Sequence, residues 1–457
     1  MRFLRRLALL AIAPVAPAFA QENPPPPARD PQIEKIVRDV SAERIEATIR
    51  QLVAFQTRHT LSTTTDPKVG IGAARTWLKG EFDRIARESG GRLQVELDAF
   101  HQPPQPPRIP QGADIVNLVA TLPGRQPAAR DRVYVVSGHY DSIVIKRFLD
   151  GEIAAPGADD DGSGTAAVLE LARVMSHYDF DATIVFLAVA AEEQALNGST
   201  HWAKAAKEKN LNIAAMFTND IVGNTLDEHG VRDRSHVRLF AEGVTVPAGA
   251  KELPADVLAQ IRTGGENDFP TRQLARAIQA IGARYVPELP VKIIYRRDRY
   301  LRGGDHSPFL DAGFAAVRFT EPHEVFARQH EEVREENGVR YGDTIDFVDF
   351  GYVADVARVN AAALAELADA PASPRGVKIE TTKLENDTTL RWQPNAEPDL
   401  AGYRIVWRDT TALQWEHALE VPKTVTRYTV PGVSKDNVIF GVEAVDTAGH
   451  ASPAVYP

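Results

Sequence analysis

The 457-residue sequence contains no cysteine, which excludes disulfide bonds, the usual reinforcement of exported proteins. The chain must therefore derive its stability from a large apolar core or from a bound metal. It also lacks a basic patch with interleaved aromatic residues, and its formal net charge is −10. An acidic chain of this kind is a poor candidate for binding nucleic acid, and we expect none as a partner.

Beyond its first residues the sequence has no apolar run long enough to cross a bilayer. The N-terminal segment combines three arginines with an apolar run from Leu7 to Phe19 and an Ala-x-Ala site ahead of Gln21. This combination predicts a signal peptide over residues 1–20. We therefore expect an exported protein, periplasmic or extracellular, without a membrane span after cleavage.

The length of the chain favours more than one domain. A proline-rich linker is predicted over residues 21–32, where the sequence reads QENPPPPARDPQ. Near Asp369 an alanine-rich helical pattern gives way to short alternating strands. We therefore predict a main domain over residues 33–370 and an all-β sandwich over residues 373–457.

The C-terminal segment contains strand-like runs separated by turn residues. The clearest runs are LRW (390–392), YRIVW (403–407), RYTV (427–430) and FGVEAVD (440–446). About seven such strands in this length predict a β-sandwich. The placement of Trp392, Tyr403 and Tyr428, followed by FGVEAVDTAGHASP, resembles a fibronectin type III domain.

The main domain alternates apolar strand patterns with helical patterns from Arg132 onwards. The predicted strands include VYVVSG, TIVFLAVA (183–190), AAMFTND (214–220) and FAAVRF (314–319), and helical patterns cover residues 165–177 and 195–209. This order predicts βαβ units in an α/β fold with a mixed, mostly parallel sheet flanked by helices. Polar residues follow the carboxyl ends of the strands, where an open α/β sheet places its active site.

Imidazole and carboxylate groups recur after these strands. They are His139 and Asp141 in SGHYDS, Asp159, Asp160 and Asp161 in GADDDGSG, Glu192 and Glu193 in AEEQ, and Asp220 in TNDIVG. A single residue of this kind at a strand end is most often structural, but the recurrence favours one shared metal site. Nitrogen and oxygen ligands without thiolates suit zinc, with manganese or cobalt as alternatives.

The order of these motifs resembles the co-catalytic two-zinc exopeptidase family, which includes bacterial leucyl-type aminopeptidases and glutamate carboxypeptidase. The resemblance covers roughly residues 35–368 and implies two Zn²⁺ per chain. The roles it implies are a metal bridge for Asp160, metal ligation for His139, Glu193 and Asp220, orientation of the His139 ring for Asp141, and general base for Glu192.

The resemblance also implies that the peptide bond after the bridging aspartate is often cis. Asp159 and Asp161 are expected to hydrogen-bond nearby backbone groups or to tune the charge of the site. Gly162 and Gly164 would admit a tight turn into the helix that begins near Thr165.

A second metal-binding histidine is expected after the last central strand. The candidates are His306 in GGDHSPF, His323 in TEPHEV and His330 in RQHEEV. We favour His330 because the following GDTIDFVDF resembles the run after that histidine in the family, and His306 remains the alternative. In the family the DHSPF element lines the pocket, so His306 is also a candidate for substrate binding. Tyr300 is a second candidate for substrate binding. Tyr300 is also a candidate for stabilising the oxyanion, and Tyr295 is the alternative for that role.

These features together predict an exported zinc aminopeptidase that acts on peptides through a two-metal-bridged hydroxide, with Glu192 as the general base. A carboxylate-rich pocket suits a free α-amino group. A carboxypeptidase or dipeptidase is an alternative, because the arginines of YRRDRYLR would suit a substrate carboxylate. A one-zinc glutaminyl cyclase and an inactive binding protein are further alternatives. For the C-terminal segment the alternatives are binding of cell-surface polymer, positioning of large substrates and a contribution to stability alone.

Overall fold

The structure is a computed structural model that describes residues 28–246, 249 and 251–457. The predicted signal peptide and most of the predicted linker lie outside these residues. The helices are α1 Pro31–Asp39, α2 Ala42–Ala54, α3 Gly70–Glu88, α4 Gly162–Met175, α5 Asn197–Glu208, α6 Ala255–Arg262, α7 Pro270–Tyr285, α8 His306–Asp311 and α9 Phe350–Asp369.

The strands of the main sheet are β1 Gln94–Gln102, β2 Ala113–Leu122, β3 Arg132–His139, β4 Thr183–Val189, β5 Asn212–Asn219, β6 Val237–Ala241, β7 Val291–Ile294 and β8 Ala316–Thr320. A small hairpin follows, formed by β9 Arg334–Glu336 and β10 Val339–Tyr341. The C-terminal strands are β11 Arg375–Ile379, β12 Thr388–Gln393, β13 Leu400–Asp409, β14 His417–Pro422, β15 Arg427–Val430 and β16 Val438–Asp446.

The first described helix begins earlier than the sequence predicts. Helix α1 starts at Pro31, inside the segment expected to be linker. The Asp30 side chain caps this helix by accepting hydrogen bonds from the backbone N–H groups of Gln32 at 2.6 Å and Ile33 at 3.4 Å. Proline is favoured at a first helical position, because its missing N–H has no helical partner there.

The main sheet has eight strands in the order β1-β2-β4-β3-β5-β8-β6-β7. The central strands β4, β3, β5 and β8 run parallel, whereas β1, β2 and β6 join by antiparallel pairing. The α/β fold with a mixed, mostly parallel sheet is therefore confirmed. The β1–β2 hairpin lies outside the predicted pattern, which begins at Arg132, although Val95, Leu97 and Ala99 alternate with polar residues along β1.

Helices cover both faces of this sheet. The larger core lies under α1, α2, α3, α4, α7 and α9, and a smaller core lies under α5 and α8. Side chains along β3 point alternately to the two faces of the sheet, so Val136 packs in the larger core and Val135 in the smaller core. Sandwiched in this way, the central strands are almost wholly buried, and only their ends reach loops that can form a site.

The C-terminal strands form two three-stranded antiparallel sheets, β11-β12-β15 and β14-β13-β16. They enclose a separate core in which the Trp392 and Tyr403 rings meet edge to face at 5.3 Å. Six strands are present in the described residues where about seven were expected. The fibronectin type III resemblance and the 373–457 boundary stay predictions. None of the described helices has the length and apolar character needed to cross a bilayer.

Candidate metal centre

Three parallel strands bring most of the predicted site residues to one edge of the sheet. His139 ends β3, the AEEQ segment follows β4, and Asp220 follows β5. β3 lies between β4 and β5 in the sheet. The chain passes from β3 to β4 on one side and then crosses to β5 on the other side, so the strand order reverses at β3. Such a reversal of strand order opens a crevice at the carboxyl ends of the strands, and this is where ligands bind in open α/β sheets.

Asp160 occupies the middle of the cluster. Its Oδ1 lies 3.1 Å from His139 Nε2, and its Oδ2 lies 2.8 Å from His330 Nε2. His330 Nε2 also lies 3.0 Å from Glu193 Oε1. Asp160 therefore shares one carboxylate between two ligand groups, His139–Asp160–Asp220 and Asp160–Glu193–His330, in each of which the candidate ligand atoms lie within 4.8 Å of one another.

The ligand atoms of the Asp160–Glu193–His330 group are arranged for binding a cation rather than for hydrogen bonding to one another. Glu193 Oε1 and His330 Nε2 are buried and make no hydrogen bond, although they lie only 3.0 Å apart. A buried polar atom without a partner is costly, and a metal ion at a common centre would satisfy both. Zinc bonds of about 2.0–2.2 Å place neighbouring ligand atoms roughly 3 Å apart, as found here. The residues present thus fit zinc, which the two groups that share Asp160 would hold.

The charges of the cluster depend strongly on one another. Burial alone would lower the pKa of His330, but the carboxylates of Glu193 and Asp160 outweigh it and raise that pKa well above its usual value. Burial alone would raise the pKa of Asp160, but the two histidines hold it well below its usual range. Four buried or half-buried carboxylates meet two imidazoles and the Arg318 guanidinium, which lies 2.8 Å from Asp220, so the cluster favours additional positive charge.

Asp141 holds the segment that carries the two glutamates. Its Oδ1 accepts a hydrogen bond from the backbone N–H of Glu192 at 3.1 Å, and its Oδ2 accepts one from that of Glu193 at 3.2 Å. His139 Nδ1 lies 3.2 Å from the Asp141 carbonyl and 3.5 Å from its carboxylate. Asp141 is thus placed to orient the His139 ring and also fixes both glutamates. Burial raises the pKa of the Glu192 carboxyl group well above its ordinary value.

The three consecutive aspartates have three different environments. Asp161 caps α4 through Gly164 N–H at 2.9 Å, and it also accepts from the His139 backbone N–H at 2.9 Å. Asp159 faces the other way and accepts from Gly223 N–H at 2.7 Å. Only Asp160 points into the ligand groups. As expected, its neighbours bond to backbone.

The chain follows a tight path around Asp160. The peptide bond between Asp160 and Asp161 is cis, as the family resemblance implied. A Cβ atom on Gly164 would lie 2.1 Å from the Asn219 carbonyl, because the start of α4 packs directly on β5. Only glycine permits this approach.

The other candidates lie outside the two ligand groups. His306 is fully buried, and its Nε2 bonds to the Arg297 carbonyl at 2.8 Å. Burial lowers the pKa of His306 to about 4, so it stays neutral. His323 is exposed and lies 3.0 Å from Asp233. Tyr300 is 78% exposed, and Tyr295 packs against the Arg272 guanidinium, so neither ring is placed at the ligands.

Sequence reasoning missed the residues that brace the GADDDGSG loop. Asp343 accepts hydrogen bonds from the backbone N–H groups of Asp159, at 2.9 Å and 3.0 Å, and of Asp160, at 2.7 Å. The Arg58 guanidinium, wholly buried, donates to the carbonyls of Pro156 at 2.5 Å and Gly157 at 2.8 Å. Asp343 lies in the noted GDT run, whereas nothing local marks Arg58.

A cavity of about 230 Å³ opens onto the ligand groups. Its floor includes Glu192 and the ligands Asp160, Glu193, Asp220 and His330, and its wall includes Arg108, Arg299, Arg302, Ala195, Leu196, Ile221 and Gly303. The candidate base and the metal ligands thus face the same enclosed space. A peptide bond bound there would lie next to both.

A carboxylate shared by two nitrogen-and-oxygen ligand groups, with a free glutamate beside them in a cleft, defines a metal-dependent hydrolase. Residues 117–364 of the chain, more than half of its length, match peptidase family M28. The chain belongs to this family and is a zinc metallopeptidase.

Curated relatives align with almost the whole chain. A probable zinc metalloprotease of Pyrenophora teres f. teres is 47% identical over 434 residues, which cover 95% of this chain and 88% of the relative. A protein of the same description from Pyricularia oryzae is 46% identical over 94% of this chain and 84% of its own. The LapA aminopeptidase of Legionella pneumophila shares the fold, with a TM-score of 0.51 and 18% identity over 78% of each chain.

Proposed function

We propose that the protein is an aminopeptidase that uses two zinc ions to hydrolyse the N-terminal bond of peptides. The observation that carries the proposal is the position of Asp160, whose two carboxylate oxygens face His139 and His330 separately. A carboxylate between two complete ligand groups suits a pair of cations rather than one. Two zinc ions bound there would activate a water molecule and polarise the scissile carbonyl.

Glu192 supplies the proton transfers in this proposal. It lines the cavity and lies outside the two groups that share Asp160, although it also forms a third candidate ligand group with His139 and Glu193. Its buried carboxylate, with a raised pKa, accepts a proton from the attacking water and returns it to the leaving amine. The hydrogen bond from its backbone N–H to Asp141 keeps it beside the metal ligands.

The preference for a free N-terminus follows from the charge of the floor. Glu192, which holds no metal in this proposal, lines the cavity, and an α-ammonium group would be attracted to its carboxylate. A blocked N-terminus would lose this attraction and would have to bury an amide at the same place.

The test compares Glu192→Gln with Glu208→Gln, an exposed glutamate of α5. Amino-acid anilides should be cleaved by the zinc-loaded protein and by Glu208→Gln, but Glu192→Gln should lose activity by about 10²–10⁴-fold while keeping its zinc. Chelation should abolish activity and zinc should restore it. Cleavage of N-blocked peptides alone would contradict the aminopeptidase assignment.

The zinc count separates this function from glutaminyl cyclisation. Metal analysis should give two zinc ions per chain, because His139, Asp160 and Asp220 complete a group of their own. A single zinc, together with cyclisation of N-terminal glutamine, would support a cyclase instead. Binding of peptides without turnover would support a binding protein.

We further propose that the chain is exported after cleavage before Gln21, which N-terminal sequencing of the exported protein tests. The residues 373–457 are proposed to form a fibronectin type III-like domain that binds cell-surface polymer or large substrates. Retention of the full chain on insoluble cell-wall polymer tests that role.

A further inference from the structure

Three arginines line the cavity above the ligand groups, but they differ in their partners. Arg299 is neutralised twice, by Asp298 at 2.9 Å and by Glu324 at 2.9 Å, and it also donates to the Gly303 carbonyl. Arg302 pairs with Glu324 at 2.8 Å. These contacts hold both guanidinium groups against carboxylates of the wall, and Glu324 is shared between them.

Arg108 has no carboxylate partner among residues 28–246, 249 and 251–457. Its guanidinium donates to the backbone carbonyl of Glu193 at 3.3 Å and lies over the Phe148 ring at 5.3 Å. The side chain is half-buried and lines the cavity. Its planar fork therefore retains donors that can bind a second planar group.

The loop that carries Arg108 is fixed to the active-site segment. Gln105 and Ile109 exchange backbone hydrogen bonds at 2.6 Å and 2.9 Å, and Ile109 is fully buried. Asn197, at the start of α5, donates to the Gln105 side chain at 2.7 Å. Arg108 is thus presented by a closed loop docked next to the glutamates.

Groups of opposite charge line the cavity. Asp160, Glu193 and Asp220 are neutralised when they hold cations, whereas the Arg108 charge is not offset by any described carboxylate. At about 230 Å³ the cavity has room for a scissile peptide unit and little more than one adjoining side chain. A group that reaches Arg108 must therefore belong to a residue next to the cleaved bond.

We propose that Arg108 is a specificity-determining residue that binds a carboxylate of the peptide substrate. The proposal rests on the proposed peptidase function and names its preferred substrate class. The carboxylate is either the side chain of an N-terminal aspartate or glutamate, or the free C-terminus of a dipeptide. Both sources offer a planar acceptor that accepts paired hydrogen bonds from a guanidinium.

The test uses two matched substrate pairs. Glutamyl anilide against glutaminyl anilide reports a side-chain carboxylate, and leucylglycine against leucylglycine amide reports a C-terminal carboxylate. In the native protein, kcat/KM should favour the charged member of one pair by at least about 10-fold, mainly through a lower KM. Arg108→Gln should bring that ratio close to one. Arg87→Gln, which removes an exposed arginine of α3 away from the cavity, should preserve it.

Binding measurements keep this proposal separate from the proposed catalysis. In the Glu192→Gln background, calorimetry should show the same preference for the charged peptides, and adding Arg108→Gln should remove it. If the native, zinc-loaded protein hydrolysed none of these substrates while the binding preference was present, the aminopeptidase function would be wrong and the Arg108 proposal would stand. Equal affinity for charged and neutral peptides, or a preference that survives Arg108→Gln, would overturn the role of Arg108.

Discussion

Identical side chains in one short segment have different roles because of their neighbours. In GADDDGSG, Asp161 binds the backbone of β3 and α4, Asp159 binds Gly223, and Asp160 alone faces the imidazoles. Three adjacent carboxylates are tolerated because backbone N–H groups satisfy the outer two and the histidines offset the middle one.

A pair of amide substitutions separates these roles. Asp160→Asn should lose zinc and lower activity by at least about 100-fold, because an amide cannot bridge two cations as a carboxylate does. Asp159→Asn should keep its zinc, since the amide oxygen still accepts the Gly223 N–H. Zinc content after dialysis, with circular dichroism as a check on folding, measures both. Equal loss of zinc in the two variants would show that Asp159 is also a ligand.

At the scale of elements, the parallel strands locate the site and the loops give it shape. Ala191, Ile221 and His330 all have positive φ values, between 55° and 59°, and each lies at or beside a site residue. Such a backbone conformation is costly, above all for a β-branched isoleucine, and the surrounding contacts must hold it. The Ile221 carbonyl, for example, accepts from the Glu321 N–H at 2.9 Å and the Thr320 hydroxyl at 3.0 Å.

The brace from Asp343 to the GADDDGSG loop gives a prediction at this scale. Asp343→Asn should weaken zinc binding by about 10–100-fold, because the amide N–H₂ cannot accept a backbone N–H from Asp159 or Asp160. Competition with a chelator measures the affinity. Asp346→Asn, in the same segment but exposed and paired with Arg340, is the control and should bind zinc like the native chain. Unchanged affinity in Asp343→Asn would show that the loop holds its shape without the brace.

The distinction between strand ends and loops explains which parts of the site could be predicted from the sequence. His139, Glu193 and Asp220 each follow an apolar strand, so the strand pattern placed them at one edge of the sheet. Arg58 and Arg108 were not predictable as site residues, because their partners are distant in sequence. Arg58 is 98 residues from Pro156, and Arg108 is 85 residues from Glu193. Only the folded backbone brings them to the active-site loops.

At the scale of the whole molecule, the C-terminal sheets are joined to the peptidase part by buried charges. Arg132 lies 3.3 Å from Glu397, and Asp268 lies between Arg276 at 3.1 Å and Arg408 at 2.7 Å. Buried ion pairs contribute less to stability than they appear to, since their desolvation offsets the attraction, but losing one partner is costly. These pairs therefore fix how the two parts meet.

His450 extends this junction to the N-terminal helix and makes it sensitive to pH. Its Nδ1 lies 2.8 Å from Asp446, and its Nε2 lies 3.3 Å from Asp30, the residue that caps α1. Burial alone would lower the pKa of His450, but the neighbouring carboxylates, Asp446 first, raise it to about 9. Because the folded pKa exceeds the unfolded one, protonated His450 stabilises the fold below about pH 6.5, and this contribution is lost as the pH rises through about 9.

His450→Gln should consequently lower the free energy of unfolding by about 1–3 kcal/mol at pH 6 and by much less at pH 10. Thermal unfolding of the full chain across this range measures the difference from the native protein. Asp369, whose pKa burial raises to about 7, interacts with His450, so the difference between the two proteins includes the change in its titration. His229→Gln removes an exposed histidine and should follow the native curve at every pH. A constant destabilisation from pH 6 to pH 10 would mean that His450 acts at the junction by packing alone, without its charge.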